Sequence, residues 1–111
     1  MAEFIYHIAV EKDWKNALEC GEYLPGPFTT EGFIHCSTDE QVIQSANRHF
    51  HGQHGLLLVK IDPRRTASEI RYELSQSEPF PHIYGPLNLD AVVSVARFEP
   101  DNDGNFHFPS E

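Results

Sequence analysis

The sequence predicts a small α+β domain: a split, mixed or antiparallel sheet carrying two helices, both in the first half of the chain. Three observations predict it. The 111 residues fit one domain and leave no room for two. Apolar residues recur with helical spacing in two segments, both before residue 52. From residue 56 onward the apolar runs are short, as strands are, and turn signals separate them.

The elements follow in order. Phe4 to Ile8 is a short β-type run in which Phe4, Tyr6 and Ile8 face one way and Ile5 and His7 the other. Glu11 to Cys20 reads as a helix, with Trp14, Ala17 and Leu18 at i, i+3 and i+4 and Gly21 as its stop. Pro25-Gly26-Pro27 is loop, and residues 32–36 form a second strand. Thr38-Asp39-Glu40-Gln41 has the form of a capping box. It opens a helix over 39–50 that buries Val42, Ile43, Ala46 and Phe50 before Gly52. Leu56 to Ile61 is a central strand ended by Asp62-Pro63. In the strand over 70–74, Ile70, Tyr72 and Leu74 oppose Arg71 and Glu73, and 91–98 is the last strand. Asp101-Asn102-Asp103-Gly104 is a tight turn before a short extension. Its glycine comes too early for a calcium loop. The order is β-α-β-α-β-β-β in a single domain over 1–111, with its core within 4–98. Trp14, Val42, Ala46, Leu57, Val59 and Val93 are the expected core residues.

Composition narrows the function classes. Eight Lys and Arg against 17 Asp and Glu give a net charge of −9. That balance argues against nucleic acid, whose binding rests on cationic side chains displacing counterions. No apolar run is long enough to span a membrane. The N-terminus does not read as a secretory signal, and the two cysteines, Cys20 and Cys36, read as reduced thiols of a cytoplasmic protein. Small molecules remain as the ligand class.

Four segments carry polar chemistry. In Gly32-Phe33-Ile34-His35-Cys36-Ser37-Thr38 a strand delivers His35 and Ser37 to a helix N-terminus, where N–H groups and the helix dipole favour anions. The plainer reading is that Ser37 or Thr38 only caps the helix. His7 on the first strand is, alone, more often structural. Phe80-Pro81-His82-Ile83-Tyr84-Gly85-Pro86-Leu87 reads as a rigid loop presenting His82 and Tyr84; otherwise it is a turn whose aromatics plug the core. Glu73 is a lone strand carboxylate that needs a partner to do chemistry. The tract His49-Phe50-His51-Gly52-Gln53-His54 has poor spacing for zinc, so no metal site is expected.

Ile5-Tyr6-His7-Ile8, Trp14, Gly32 to Thr38, Ile61-Asp62, Tyr72-Glu73 and Phe80 to Leu87 together resemble the bacterial family called domain of unknown function 952, over residues 4 to about 98. That family resembles the ADP-ribosyltransferase fold, which binds NAD in a cleft. Its nearest pattern there is the RNA 2′-phosphotransferase, with Tyr-His on an early strand and His-x-Ser before a helix. The resemblance implies NAD as co-substrate and an NAD-using transferase or glycohydrolase acting on a small-molecule or nucleotide substrate. It implies His35 on the ribose or amide, His7 on the adenosine-side ribose or a phosphate, and Ser37 near the nicotinamide. Glu73 would face the developing positive charge, and His82 and Tyr84 would line the acceptor side. The pattern departs from the phosphotransferase where basic residues precede His-x-Ser: here stand Glu31, Gly32 and Phe33. The rival reading is a non-catalytic nucleotide or small-metabolite binding module on the same fold. A ligand site further requires His7, His35 and His82 to converge on one cleft.

Overall fold

The structure is a computed structural model that describes residues 3–25 and 31–109. It is an α+β fold of eight strands, two α-helices and two short 3₁₀ helices among those residues. The strands are β1 (Ile5–Val10), β2 (Glu22–Tyr23), β3 (Ile34–His35), β4 (Leu56–Ile61), β5 (Glu69–Ser75), β6 (Glu78–Tyr84), β7 (Leu87–Asn88) and β8 (Val92–Phe98). The helices are α1 (Glu11–Cys20) and α2 (Val42–His49). They build three small sheets, ordered β1-β4-β8, β3-β6-β5 and β2-β7, and every pairing is antiparallel. A bridge between Tyr6 and Ser37 ties β1 to the end of β3. Gly26 and Pro27 of the expected loop lie outside the described residues.

Alternation on β1 and β4 divides the core in two. Ile5, Ala9, Val59 and Ile61 join Trp14, Ala17, Tyr23, Ile34, Ile83 and Leu87 in one cluster. Leu56 and Leu58, from the other face of β4, join Val42, Ala46, Phe98 and Phe106 in the second, so the core reaches past the expected 4–98 to the extension that carries Phe106. Helix α1 has its expected bounds and buries Trp14 (7% exposed) and Ala17, but Leu18 is exposed. Gly21 ends it at φ 91°, donating its N–H to the Ala17 carbonyl at 2.8 Å. The second helix starts later than its sequence pattern suggests. Residues 38–41 form a turn in which the Gln41 side chain accepts the Thr38 N–H at 3.0 Å, so half of the capping box is present one turn before Val42.

Of the expected core, Trp14, Val42, Ala46 and Val59 are buried and Leu57 partly so, whereas Val93 is 50% exposed. The cause is a bulge: Lys60 pairs with Ser94 but Ile61 pairs with Val92, so Val93 is an extra residue on an edge strand.

The larger correction is β6. The segment expected to be a rigid loop is the central strand of its sheet. Two prolines on a central strand should cost ladder bonds. Here Pro81 turns its backbone toward Cys36, whose N–H donates to the Pro81 carbonyl at 3.0 Å, just past the end of two-residue β3. Pro79 has the same parity, and its carbonyl accepts from the Gln41 side chain at 2.9 Å. Both absent N–H groups therefore fall on the side where β3 asks for no donor. The β5–β6 hairpin closes through Gln76 and Ser77, both at positive φ (54° and 72°). That is the pattern of a two-residue hairpin turn, built without its usual Asn-Gly.

Candidate functional site

The register of the β3-β6-β5 sheet creates the site. His35 pairs with His82, and His82 pairs with Arg71. Directly opposed residues share a face, as do residues two apart along a strand. One face therefore carries His35, Phe80, His82, Tyr84, Arg71 and Glu73. The opposite face carries Ile34, Ile83 and Ile70, which pack on the first core cluster. Phe33 extends the polar face: its ring stacks on His82 at 4.2 Å between centroids and lies 4.7 Å from His35 and 5.3 Å from Tyr84.

A cavity of about 450 Å³ opens here, within the range of small-molecule sites. His7, His35 and His82 all line it, as does Ser37. Three segments distant in sequence thus converge on one concave surface. Other walls are aromatic: Tyr6, Tyr23, Phe33, Phe50 and Phe80.

The three histidines differ in what they offer. His7 is buried and fully engaged. Its Nδ1–H donates to the His35 carbonyl, and its Nε2 accepts the Tyr23 hydroxyl at 2.7 Å. Loss of water lowers its pKa to about 4, despite the carbonyl's opposing pull, so the ring is neutral at pH 7. Tyr23 stays protonated because burial, then the nearby Asp13, pushes its phenol up. Neither His7 nitrogen is left for a ligand. His7 forms wall and orients the His35 backbone, rather than gripping a phosphate or ribose. His35 is exposed, with Nε2 bonded to Glu31 at 2.8 Å, and its ring stands 5.2 Å from that of His82. His82 is 5% exposed. Its Nδ1–H donates to Glu73 at 2.8 Å.

Glu73 has found its partners, but away from the cavity. It does not line the space; the same carboxylate oxygen accepts from His82 and from the Tyr84 hydroxyl. Those two hydrogen bonds, Tyr84's first, hold its carboxyl below the ordinary range, and the bond in turn raises Tyr84. Tyr84 also stands outside the lining, with the Arg71 guanidinium over its ring at 4.5 Å. Ser37 faces Ser45 at 3.5 Å between hydroxyls. Thr38 lies apart, in a separate recess with Glu40, Gln41 and Glu78. Cys36 lines the cavity, and burial pushes its thiol up, which favours the protonated form over the nucleophilic thiolate.

Sequence reasoning missed Ser45, Arg48 and His49, which project from α2 into the cavity lining. Their i, i+3, i+4 spacing was the available signal. Arg48 is the lone Lys or Arg among the described lining residues. The histidine tract disperses: His49 faces the cavity, His51 packs over Gly104, and His54 pairs with Glu99 at 2.7 Å. Among the described residues no group of three or more His, Cys, Asp or Glu could hold a metal ion, and no helix is long and apolar enough to cross a membrane.

Among solved structures, the chain is similar to the crystal structure of protein CC0527 from Caulobacter crescentus. The two share 30% identity over 94% of this chain and 93% of that one, with a TM-score of 0.86. The solution structure of CC0527 matches at 30% identity over 93% and 90%, with a TM-score of 0.80. No curated protein sequence matches the chain. The model of the family described as "Protein of unknown function (DUF952)" matches residues 8–95, a span that holds His35 and His82 and begins one residue after His7; the chain belongs to that family.

Proposed function

We propose that the cavity binds NAD or a fragment of it, as the resemblance to the ADP-ribosyltransferase fold implies. The observation that carries this reading is the convergence of His7, His35 and His82 on one aromatic-walled cavity of about 450 Å³. The Phe33–His82 stack offers a flat surface to a planar ring such as nicotinamide or adenine. His35 stands at the surface and lines the cavity, and no described residue bonds its Nδ1, which could meet a ribose hydroxyl or amide. Arg48 supplies a cation for a phosphate at the α2 wall. The space suits one half of a dinucleotide better than the whole.

Binding is supported ahead of cleavage. Glu73 is turned onto His82 and Tyr84, so it cannot face a ribosyl cation directly. A transferase or glycohydrolase reading keeps one specific support: the Glu73–His82 pair places an imidazole, rather than a carboxylate, at the cavity.

Calorimetric titration with NAD, nicotinamide mononucleotide and AMP tests the reading, with free nicotinamide measured alongside. Wild-type protein is expected to bind at least one of them at millimolar concentration or below, and His35→Ala to bind it more weakly with its fold intact. Equal affinity of the two proteins, or binding by neither, removes NAD from the account.

A further inference from the structure

We propose that His82 is the proton-accepting group of the cavity, through Nε2, and that Glu73 is its positioning residue. Three observations carry this. His82 lines the cavity while Glu73 does not, so the Nδ1 bond to Glu73 leaves Nε2 as the nitrogen available to the cavity. No described residue bonds Nε2. Yet no buried side-chain nitrogen or oxygen among the described residues lacks a partner, so an Nε2 that no described residue bonds is not sealed in the core, although the residue is 5% exposed. Finally, neighbours hinder the ring from turning: Phe33 stacks on its face at 4.2 Å and the His35 ring stands nearly perpendicular to it, 5.2 Å away.

The carboxylate fixes the chemistry of the ring. A proton on Nδ1, held by Glu73, makes Nε2 the lone-pair nitrogen, and the negative charge stabilises the imidazolium that forms when Nε2 takes a proton. Tyr84 bonds the same Glu73 oxygen and so holds the carboxylate against rotation. Tyr84 acts on Glu73, and Glu73 on His82; of these three, His82 alone lines the cavity.

The identity of the electrophile rests on the NAD reading; the proton acceptor does not. With NAD, the electrophile is the ribose anomeric carbon. Water or an acceptor alcohol gives its O–H proton to His82 Nε2. Its oxygen lone pair forms a bond to the ribose anomeric carbon. The carbon–nitrogen bond breaks, and nicotinamide leaves as a neutral molecule with that electron pair. Nε2 then returns its proton to solvent.

Two measurements test the proposal separately from NAD binding. In the first, the protein alone is treated with diethyl pyrocarbonate and each histidine's modification is followed by mass spectrometry. His82 should react although it is buried, His7 should not, and Glu73→Gln should slow His82 several-fold. A His82 as inert as His7, or one indifferent to Glu73→Gln, overturns the assignment. In the second, nicotinamide release from NAD is compared across pH for wild type, His82→Asn and Glu73→Gln. Loss of kcat with KM retained, and a changed acidic limb in Glu73→Gln, support it. Release by His82→Asn at the wild-type rate overturns it while leaving the NAD reading intact. Reactive, Glu73-dependent His82 in a protein that neither binds nor cleaves NAD supports the proton acceptor and removes NAD.

Discussion

Replacing His7 by Gln should flatten the stability of this protein between pH 7 and pH 4. His7 titrates near 6.5 when unfolded and at about 4 when folded, because burial excludes the water that would solvate its charge. The sign follows from proton binding. Below the unfolded pKa the unfolded chain holds a proton that the folded chain refuses, so falling pH favours unfolding. The stabilisation is fully present above pH 6.5 and is lost as pH falls toward 4. The whole gap corresponds to roughly 3 kcal/mol, at about 1.36 kcal/mol for each pH unit. Between pH 7 and pH 5 the loss comes to about 2 kcal/mol. The carboxylates of Asp62, Glu73, Glu99 and Asp101, all held low, lose their contributions at more acidic pH, and the variant shares them with wild type. Asp101 belongs to that set because the His107 ring and two backbone N–H groups bond it. Urea denaturation at a series of pH values, for wild type and His7→Gln, isolates the difference. The variant has a lower baseline because it gives up the Tyr23 and His35 bonds, so the slope is the readout. Parallel curves for the two proteins would refute the reasoning.

Two further outcomes are expected. Gln76 and Ser77 both sit at positive φ, where side chains are disfavoured by roughly 1–2 kcal/mol each; replacing the pair with Asn-Gly should raise the thermal midpoint, by about 1 kcal/mol in stability. Ile61 is fully buried while Val93 is the exposed bulge residue, so Ile61→Ala should cost roughly 2–5 kcal/mol in urea denaturation and Val93→Ala under about 0.5 kcal/mol.

Much of the fold was legible because burial alternates with the period of each element. The run over 56–61 is a central strand, and the helix over 11–20 stops where Gly21 follows it. What failed was local chemistry that only the fold could excuse. Pro79 and Pro81 speak against a central strand, and nothing in the sequence says that β3 ends before it would need their N–H groups. Gln76-Ser77 lacks the residues that announce a tight hairpin, so the turn joining β5 to β6 was invisible. Yet Phe80, His82 and Tyr84 alternate with Pro81 and Ile83, a period-two pattern that was present in the segment all along.

The same missed strand explains what the sequence could and could not tell about the site. The histidines were legible as residues; His35 and His82 meet once β6 lies beside β3, and His7 joins them through the Tyr6–Ser37 bridge that ties β1 to the end of β3. Their roles were not legible, because a role depends on which nitrogen is left over. His7 spends both on Tyr23 and the His35 backbone, whereas His82 spends one on Glu73. The partnership of Glu73 and His82 is a diagonal across one antiparallel register: Glu73 opposes Phe80, two residues from His82. A one-residue slip would send Glu73 to the opposite face and leave His82 without its carboxylate. The hairpin turn at Gln76-Ser77 sets that register, so the strained turn and the proton-accepting geometry are linked. Lengthening the turn by one residue should therefore disturb His82 chemistry before it unfolds the domain, read as slower His82 modification in a chain that still unfolds cooperatively in urea.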